Sequence, residues 1–282
     1  MGGRTVNISG NPYLHLVRAP AALTVLGDTA AGAAGGLRGR RLLLPLSSVA
    51  LYWSGMALND WADRELDAVE RPERPIPSGR ISAGRALAVA CGLSAAGLAL
   101  AAAGGGRQAL GTACALTAAL WSYDTVLKDT PVGPVAMAAC RGLDVLLGAP
   151  PGRRGAALPA AGALFAHTLG VTALSRGEVH GTTPAVARAV LAGTAATAVA
   201  AGAASRRGLV GAIGYAAFVG RAQLRAVRDN GAGTVRSATA AGIHGMVPLQ
   251  AALTARGSVR AALAVAAALP LARRFGRKVG PT

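Results

Sequence analysis

LLLPLSSVALYWSGMALNDWADRELDAVERPERPIPSGRIS, residues Leu42 to Ser82, joins an apolar run directly to a dense set of fixed charges. The run Leu42–Leu58 has the composition of a helix in lipid, where about 20 apolar residues cross the hydrocarbon. Asn59, Asp60, Asp63 and Asp67 follow without a break. At about 100° per residue, these four fall within an arc of roughly 100°, with Asp60 and Asp67 nearly eclipsed. Trp61, Ala62 and Glu65 point elsewhere. One face at the end of an apolar helix therefore collects three carboxylates and an amide.

Carboxylates this close repel one another, and a cation relieves the conflict. Hard oxygen donors that leave room for water suit Mg²⁺, which commonly bridges a carboxylate to a phosphate. The same spacing also suits a solvated acidic helix end flanked by arginines. The next residues, Arg71-Pro-Glu-Arg74-Pro-Ile-Pro-Ser-Gly-Arg80, read as a stiff, extended loop, because proline fixes the backbone. Guanidinium forks bind phosphate oxygens in pairs. Carboxylates for a metal, then arginines for phosphate, at a membrane surface imply a diphosphate whose lipid tail lies in the bilayer.

Outward from this stretch the chain is consistent with that setting. Of its 282 residues 52% are hydrophobic and only 15% charged, against about 25% in a soluble domain. Abundant Ala and Gly suit close helix packing in a bilayer, although a GC-rich genome produces the same bias. Apolar segments fall at about 19–37, 42–62, 84–103, 108–127, 132–149, 156–175, 184–204, 208–224 and 246–270. None alternates as a strand does, so the expected fold is an all-α integral membrane protein of about nine spans. No linker divides it. The expectation is one domain over 1–282, with a polar N-terminal segment at 1–18 and a basic tail at 272–282.

The net charge of +17 invites a nucleic-acid reading, but the basic residues form no single stripe. They sit in clusters between apolar segments: Arg38/Arg40/Arg41, Arg71/Arg74/Arg80, Arg153/Arg154, Arg206/Arg207 and Arg273/Arg274/Arg277/Lys278. That is the pattern of membrane loops and anchors, so no nucleic-acid partner is expected. The Lys/Arg balance places the aspartate motif on the cytoplasmic side of a cell membrane, and the basic tail works against that placement. Cys91, Cys114 and Cys140 lie in apolar segments without a CxxC pair, and read as small buried hydrophobes.

NDWADRELDAVERPERPIPSGRIS resembles the first aspartate-rich motif of the UbiA superfamily of intramembrane prenyltransferases, NDxxDxxxD, and its following RPxRPIPSGxIS loop. Arg18-Ala-Pro20 is similar to that superfamily's Arg-x-x-Pro before the first helix, one residue shorter. Tyr123…Lys128…Pro131 is similar to its tyrosine–lysine loop after the fourth. RGLDVLLG at 141–148 and SRGEVHG at 175–181 resemble the EboC-like bacterial subgroup. The resemblance implies a bundle around a central cavity that opens sideways to lipid, and Mg²⁺-dependent transfer of a prenyl group from a prenyl diphosphate. Its acceptors include aromatic acids, quinone precursors, chlorophyllides, haem and glycerol-phosphate lipids, and the sequence does not choose among them.

By that resemblance Asn59, Asp60, Asp63 and Asp67 would hold the metal, with Asp60, Asp63, Asp67 and Lys128 in the catalytic set. Asn59, Arg71, Arg74, Tyr123, Lys128 and Arg176 would hold the donor. A second acidic pair, DxxxD, is implied after the sixth helix. The corresponding stretch, Thr172 to Gly181, contains no aspartate, and Glu178 is its one carboxylate. Glu178 is thus the candidate ligand there, with Arg176 as a phosphate clamp in place of a cation. Arg141 is a further substrate-binding candidate, because a charge inside a span is a functional candidate; three residues from Asp144, it also reads as half of a local ion pair. Asp28 is a candidate for the cavity wall, and Tyr123 and Lys128 read equally as interfacial anchors. His167 and His244 read as hydrogen-bonded packing residues. The depleted second motif leaves a rival reading, a non-catalytic protein that binds or moves a polyprenyl lipid. A secondary transporter would show paired inverted halves, and none is visible.

Overall fold

A computed structural model describes residues 11–19, 24–203 and 205–267, and among these there is no strand. The helices are α1 (Pro12–Leu16), α2 (Leu26–Ala33), α3 (Leu43–Ala62), α4 (Arg64–Glu70), α5 (Ala83–Ser122), α6 (Gly133–Leu147), α7 (Arg154–Ser175), α8 (Pro184–Ala203), α9 (Arg206–Arg228) and α10 (Ala232–Ala255). A further helical stretch runs through 259–267. The tail at 272–282 and most of the polar segment at 1–18 lie outside the described residues. Among the described residues four helices, at Gly39–Ala62, Ala83–Leu127, Arg154–Ser175 and Pro184–Ala203, are long and apolar enough to cross a membrane.

Two of the expected spans are joined in α5. At Gly106 φ is 64° and ψ is −156°, a conformation open to glycine but not to residues with a Cβ. The chain reverses there. The first half of α5 packs antiparallel to α3, where Ser47 Oγ donates to the Gly97 carbonyl at 2.7 Å and Ser54 Oγ to the Ala90 carbonyl at 2.8 Å. The second half returns beside it, and Trp121 Nε1 donates to Ser94 Oγ at 3.1 Å.

The last expected span, 246–270, is corrected by the structure: α10 begins at Ala232 and ends at Ala255. Its start is set by Asp229, which accepts from the Gly231 amide at 3.0 Å and the Thr234 hydroxyl at 2.5 Å. Those bonds hold the Asp229 carboxyl below the usual carboxylate range. Hydropathy missed the first turns because they are built of Gly, Ser and Thr. Cysteines are a second correction, since Cys140 is buried while Cys91 and Cys114 are exposed on α5. Large apolar side chains such as Val126, Val199 and Val210 also face outward, as lipid contact requires.

Small residues set the helix spacing. A Cβ on Gly148, at the end of α6, would fall on the Thr29 carbonyl of α2. Gly148→Ala must therefore push α2 and α6 apart, at a cost of about 1–3 kcal/mol. Its melting temperature in detergent is expected to fall, while Gly92→Ala, which meets open space, leaves stability unchanged or raises it. Equal melting temperatures for both variants would show that the α2–α6 contact is not tight.

One end of the bundle gathers the C-terminus of α3, both ends of α5, the start of α6, the end of α7, the starts of α8 and α10, and the end of α9. Lys128 reaches Asp63 there, Arg176 donates to the Thr130 carbonyl, Arg236 to the Glu178 carbonyl, and the Thr182 amide to the Asn230 carbonyl. This is the end that carries the aspartate motif.

Candidate active site

The helical hydrogen-bond pattern continues from α3 into α4. The Asp63 amide donates to the Asn59 carbonyl at 2.9 Å and the Asp67 amide to the Asp63 carbonyl at 2.8 Å. The shared face expected for the motif therefore exists. Each carboxylate on it meets a cation. Asp60 is buried and takes Arg18 at 2.9 Å and Arg74 at 3.4 Å. Asp67 is buried and takes Arg74 at 2.6 Å. Asp63, the most open of the three at 22% side-chain exposure, pairs with Lys128 and accepts from Asn59 Nδ2 at 3.1 Å. Among the described residues, no three acidic, histidine or cysteine side chains converge as a preformed metal cage.

The arginine–proline loop is not extended; it folds into successive turns. Ser78 N and Oγ both donate to the Arg74 carbonyl, at 3.0 and 2.6 Å, and the Ile81 amide donates to the Pro75 carbonyl at 3.0 Å. Arg80 closes the loop on the Glu73 carbonyl at 2.5 Å. The cause is apolar: Ile81 is buried in one cluster with Leu16 and Leu58, and Ile76 packs against it. That closure turns Arg74 inward onto the aspartates and leaves Arg71 exposed at the end of α4.

A cavity of about 500 Å³ opens beside this cluster. Arg18, Asn59, Tyr123, Asp124, Ser175 and Glu178 line its mouth, and Met56, Leu120, Met137, Val171 and Ile243 line the wall below. Glu178 thus faces the same space as the first motif. Arg176 is exposed and spends its guanidinium on the Thr130 carbonyl, which secures the turn around Lys128. Arg141 lies deep in the cavity, buried. It pairs with Asp28 at 3.0 Å rather than with its neighbour Asp144, which accepts from Ser48 Oγ at 2.7 Å. His167 is a packing residue, bonded to the Tyr215 hydroxyl at 2.8 Å and the Gly242 carbonyl at 3.1 Å.

Two residues at the mouth were not among the sequence candidates. Arg18 holds both Asp60 and, at 3.5 Å, Asn59. Its φ of 44° is left-handed, a strain a non-glycine residue bears only where its surroundings impose it. The Arg18-Ala-Pro20 signature marked it. Asp124 is buried at the π-helical turn Tyr123–Leu127, with Gly55 leaving it room. A lone acid at the end of an apolar span was its sequence signal.

A family model, the UbiA prenyltransferase family, matches residues 21–220. Digeranylgeranylglyceryl phosphate synthase of Methanopyrus kandleri is 39% identical over 148 residues, 50% of this chain and 54% of that protein. The Ignicoccus hospitalis protein of the same name is 42% identical over 121 residues, 42% of this chain and 39% of that one. The chain thus spans about half the length of these relatives or less. Among solved structures, one of digeranylgeranylglyceryl phosphate synthase superposes with a TM-score of 0.67 at 18% identity, covering 88% of this chain and 98% of that one. A UbiA homologue from Archaeoglobus fulgidus, bound to DMAPP and Mg²⁺, gives 0.60 at 18% identity, covering 91% and 99%. These two likenesses concern the fold. With the family model covering most of its length, the chain belongs to the UbiA prenyltransferase family.

Proposed function

We propose that this protein transfers a prenyl group from a prenyl diphosphate to a lipophilic acceptor, with Mg²⁺, at the mouth of the cavity. One observation carries the reading: Asp60, Asp63 and Asp67, interleaved with Arg18, Arg74 and Lys128, stand where an apolar cavity meets the end of the bundle. The relatives named as digeranylgeranylglyceryl phosphate synthases support it.

Charge explains the metal. Asp60, Asp63 and Asp67 already take up the charge of Arg18, Arg74 and Lys128, so the cluster has no positive charge left over. A diphosphate adds several negative charges more, so it does not bind there without a divalent cation. The donors are hard oxygens, which fits Mg²⁺; Asn59, Asp60, Asp63 and Asp67, with Glu178 facing them, would hold it. When bound, Mg²⁺ supplies positive charge to the pyrophosphate as it departs. Lys128 and Arg18, which stand on Asp63 and Asp60, would then be free to hold the diphosphate oxygens, with Tyr123 beside them. Arg74 stays on Asp60 and Asp67 and holds the two carboxylates in place. The Met, Leu, Val and Ile wall shelters the electron-poor prenyl carbon from water. The same end of the bundle carries Arg64, Arg71, Arg80, Arg225 and Arg228, which supports a cytoplasmic mouth in a cell membrane.

The test is pyrophosphate release by purified protein supplied in turn with geranyl, farnesyl and geranylgeranyl diphosphate and a lipid extract as acceptor source. Release that requires Mg²⁺ is expected with at least one donor. The single carboxylate in Thr172–Gly181 keeps the lipid-binding reading as the second one. Mg²⁺-dependent binding of all three donors without release would replace the enzyme with that reading.

A further inference from the structure

The end of the bundle opposite the cavity mouth is charged in a different way. Its turns run through residues 34–42, 104–108, 148–154, 205–208 and 256–260, and they carry ten arginines and no aspartate or glutamate. Several of these turns adjoin. Arg41 Nη2 donates to the Gly148 carbonyl at 2.7 Å, a Cβ on Gly104 would meet the Arg40 carbonyl at 3.2 Å, and one on Gly257 would fall on the Ala34 carbonyl. At the mouth each motif carboxylate holds a cation. Here, among the described residues, none of the ten arginines makes an ion pair. Fixed positive charge without counter-charge at a membrane surface attracts anions.

One part of this end is also shaped as a groove. A cavity of about 580 Å³ lies between the second half of α5, the end of α6 and the start of α7. Gly111 and Ala115 of α5 line one wall, Leu143 and Leu146 of α6 the other, and Arg107 and Arg154 complete the lining. Arg107 directly follows the reversal at Gly106 and Arg154 opens α7, so both stand at helix ends. Ala115 lies eight residues along α5 from Arg107, about 12 Å deeper. Gly111 and Ala115 are exposed on the flank of α5, so the groove is open sideways, toward lipid.

Neutral bonds hold the charged rim in place. Gln108 Oε1 accepts from the Gly152 amide at 3.0 Å, and Nε2 donates to the Pro150 carbonyl at 3.4 Å, which ties the turn between α6 and α7 to α5. Arg154 Nη2 donates to the Gln108 carbonyl at 2.8 Å and to the Thr112 hydroxyl at 2.6 Å. Those bonds fix the Arg154 guanidinium on the residue next to Arg107 and neutralise nothing. Both arginines are exposed. Among the described residues Arg107 makes no hydrogen bond, and Arg154 uses one nitrogen of its fork.

Guanidinium groups bind phosphate oxygens, and an aliphatic wall takes a hydrocarbon chain. A ligand that satisfies both carries a phosphate and a chain. The charge narrows it further, because a choline headgroup would bring an ammonium to a face with no anion to meet it. We propose that this groove binds an anionic phospholipid, with its phosphate on Arg107 and Arg154 and one acyl chain along Gly111, Ala115, Leu143 and Leu146. The groove shares no lining residue with the cavity of the proposed reaction, and the inference does not depend on that reaction.

The test uses lipid-stripped protein in a neutral detergent, titrated with dioleoylphosphatidylglycerol or dioleoylphosphatidylcholine. Bound lipid is counted by native mass spectrometry, and inorganic phosphate serves as competitor. Phosphatidylglycerol is expected to bind at least about tenfold more tightly, a factor within reach of two arginines at an anionic headgroup. Arg107→Gln/Arg154→Gln should abolish the preference. Gly111→Leu should weaken phosphatidylglycerol at least about fivefold with every arginine in place, because its side chain takes the room of the acyl chain. A Cβ at 111 meets nothing within 4 Å, so this variant should fold even if the double glutamine variant does not. Arg206→Gln/Arg207→Gln removes as much charge from the same end outside the groove, and should keep the preference. Equal affinity for the two lipids overturns the proposal. So does full binding by Gly111→Leu, or a loss in the Arg206/Arg207 variant as large as in the groove variant, which would make the attraction diffuse. Displacement of phosphatidylglycerol by an equal concentration of inorganic phosphate would replace the lipid with a free anion.

Discussion

Asp63→Ala is expected to lower pyrophosphate release by at least about 10²–10³-fold, the usual cost of removing one preorganised electrostatic group. Asp63 stands at the junction of α3 and α4, with its carboxylate on Lys128 and on Asn59, which lines the cavity mouth. It is the most open of the three motif aspartates. Its contribution to stability is small, because a partly exposed ion pair is worth about 1 kcal/mol or less. Asp63→Ala should therefore keep its melting temperature while losing its chemistry. Asp60→Ala should lose both, since it removes the buried anion that Arg18 and Arg74 share and leaves Arg18 without its carboxylate and Arg74 with Asp67 alone. Release by Asp63→Ala above a tenth of the parent rate would remove Asp63 from the catalytic set.

Arg141→Met carries the largest expected effect on stability. Asp28 is fully buried on α2, with Gln250 donating to Oδ1 at 2.6 Å and Arg141 facing Oδ2. Removing the guanidinium leaves that carboxyl uncompensated, and breaking a buried pair from one side costs about 3–5 kcal/mol. Asp28→Asn/Arg141→Met should recover most of the loss, because an amide at position 28 still accepts from Gln250 and has no charge to neutralise. Thermal unfolding of the four proteins in one detergent reads this directly. Additive effects of the two substitutions would show that the ion pair contributes nothing to holding α2 against α6.

The sequence was sufficient for what depends on neighbours along the chain. Apolar runs of helical length, broken by Gly and Pro, announced an all-helical membrane protein. The spacing of Asn59, Asp60, Asp63 and Asp67 put four oxygen-bearing side chains on one face, and α3 and α4 keep that register. It was insufficient where residues far apart in the chain choose partners. Arg18 meets Asp60 across 42 positions, and Lys128 meets Asp63 across 65. Arg141 was paired in the sequence with Asp144, three residues on, and takes Asp28 instead once α2 packs against α6. The loop from Arg71 to Arg80 looked extended because its prolines were visible, whereas the burial of Ile81 that folds it was not. Local periodicity is written in covalent order, so a sequence displays it. Which buried charge faces which depends on how the helices pack, and tertiary structure alone decided that.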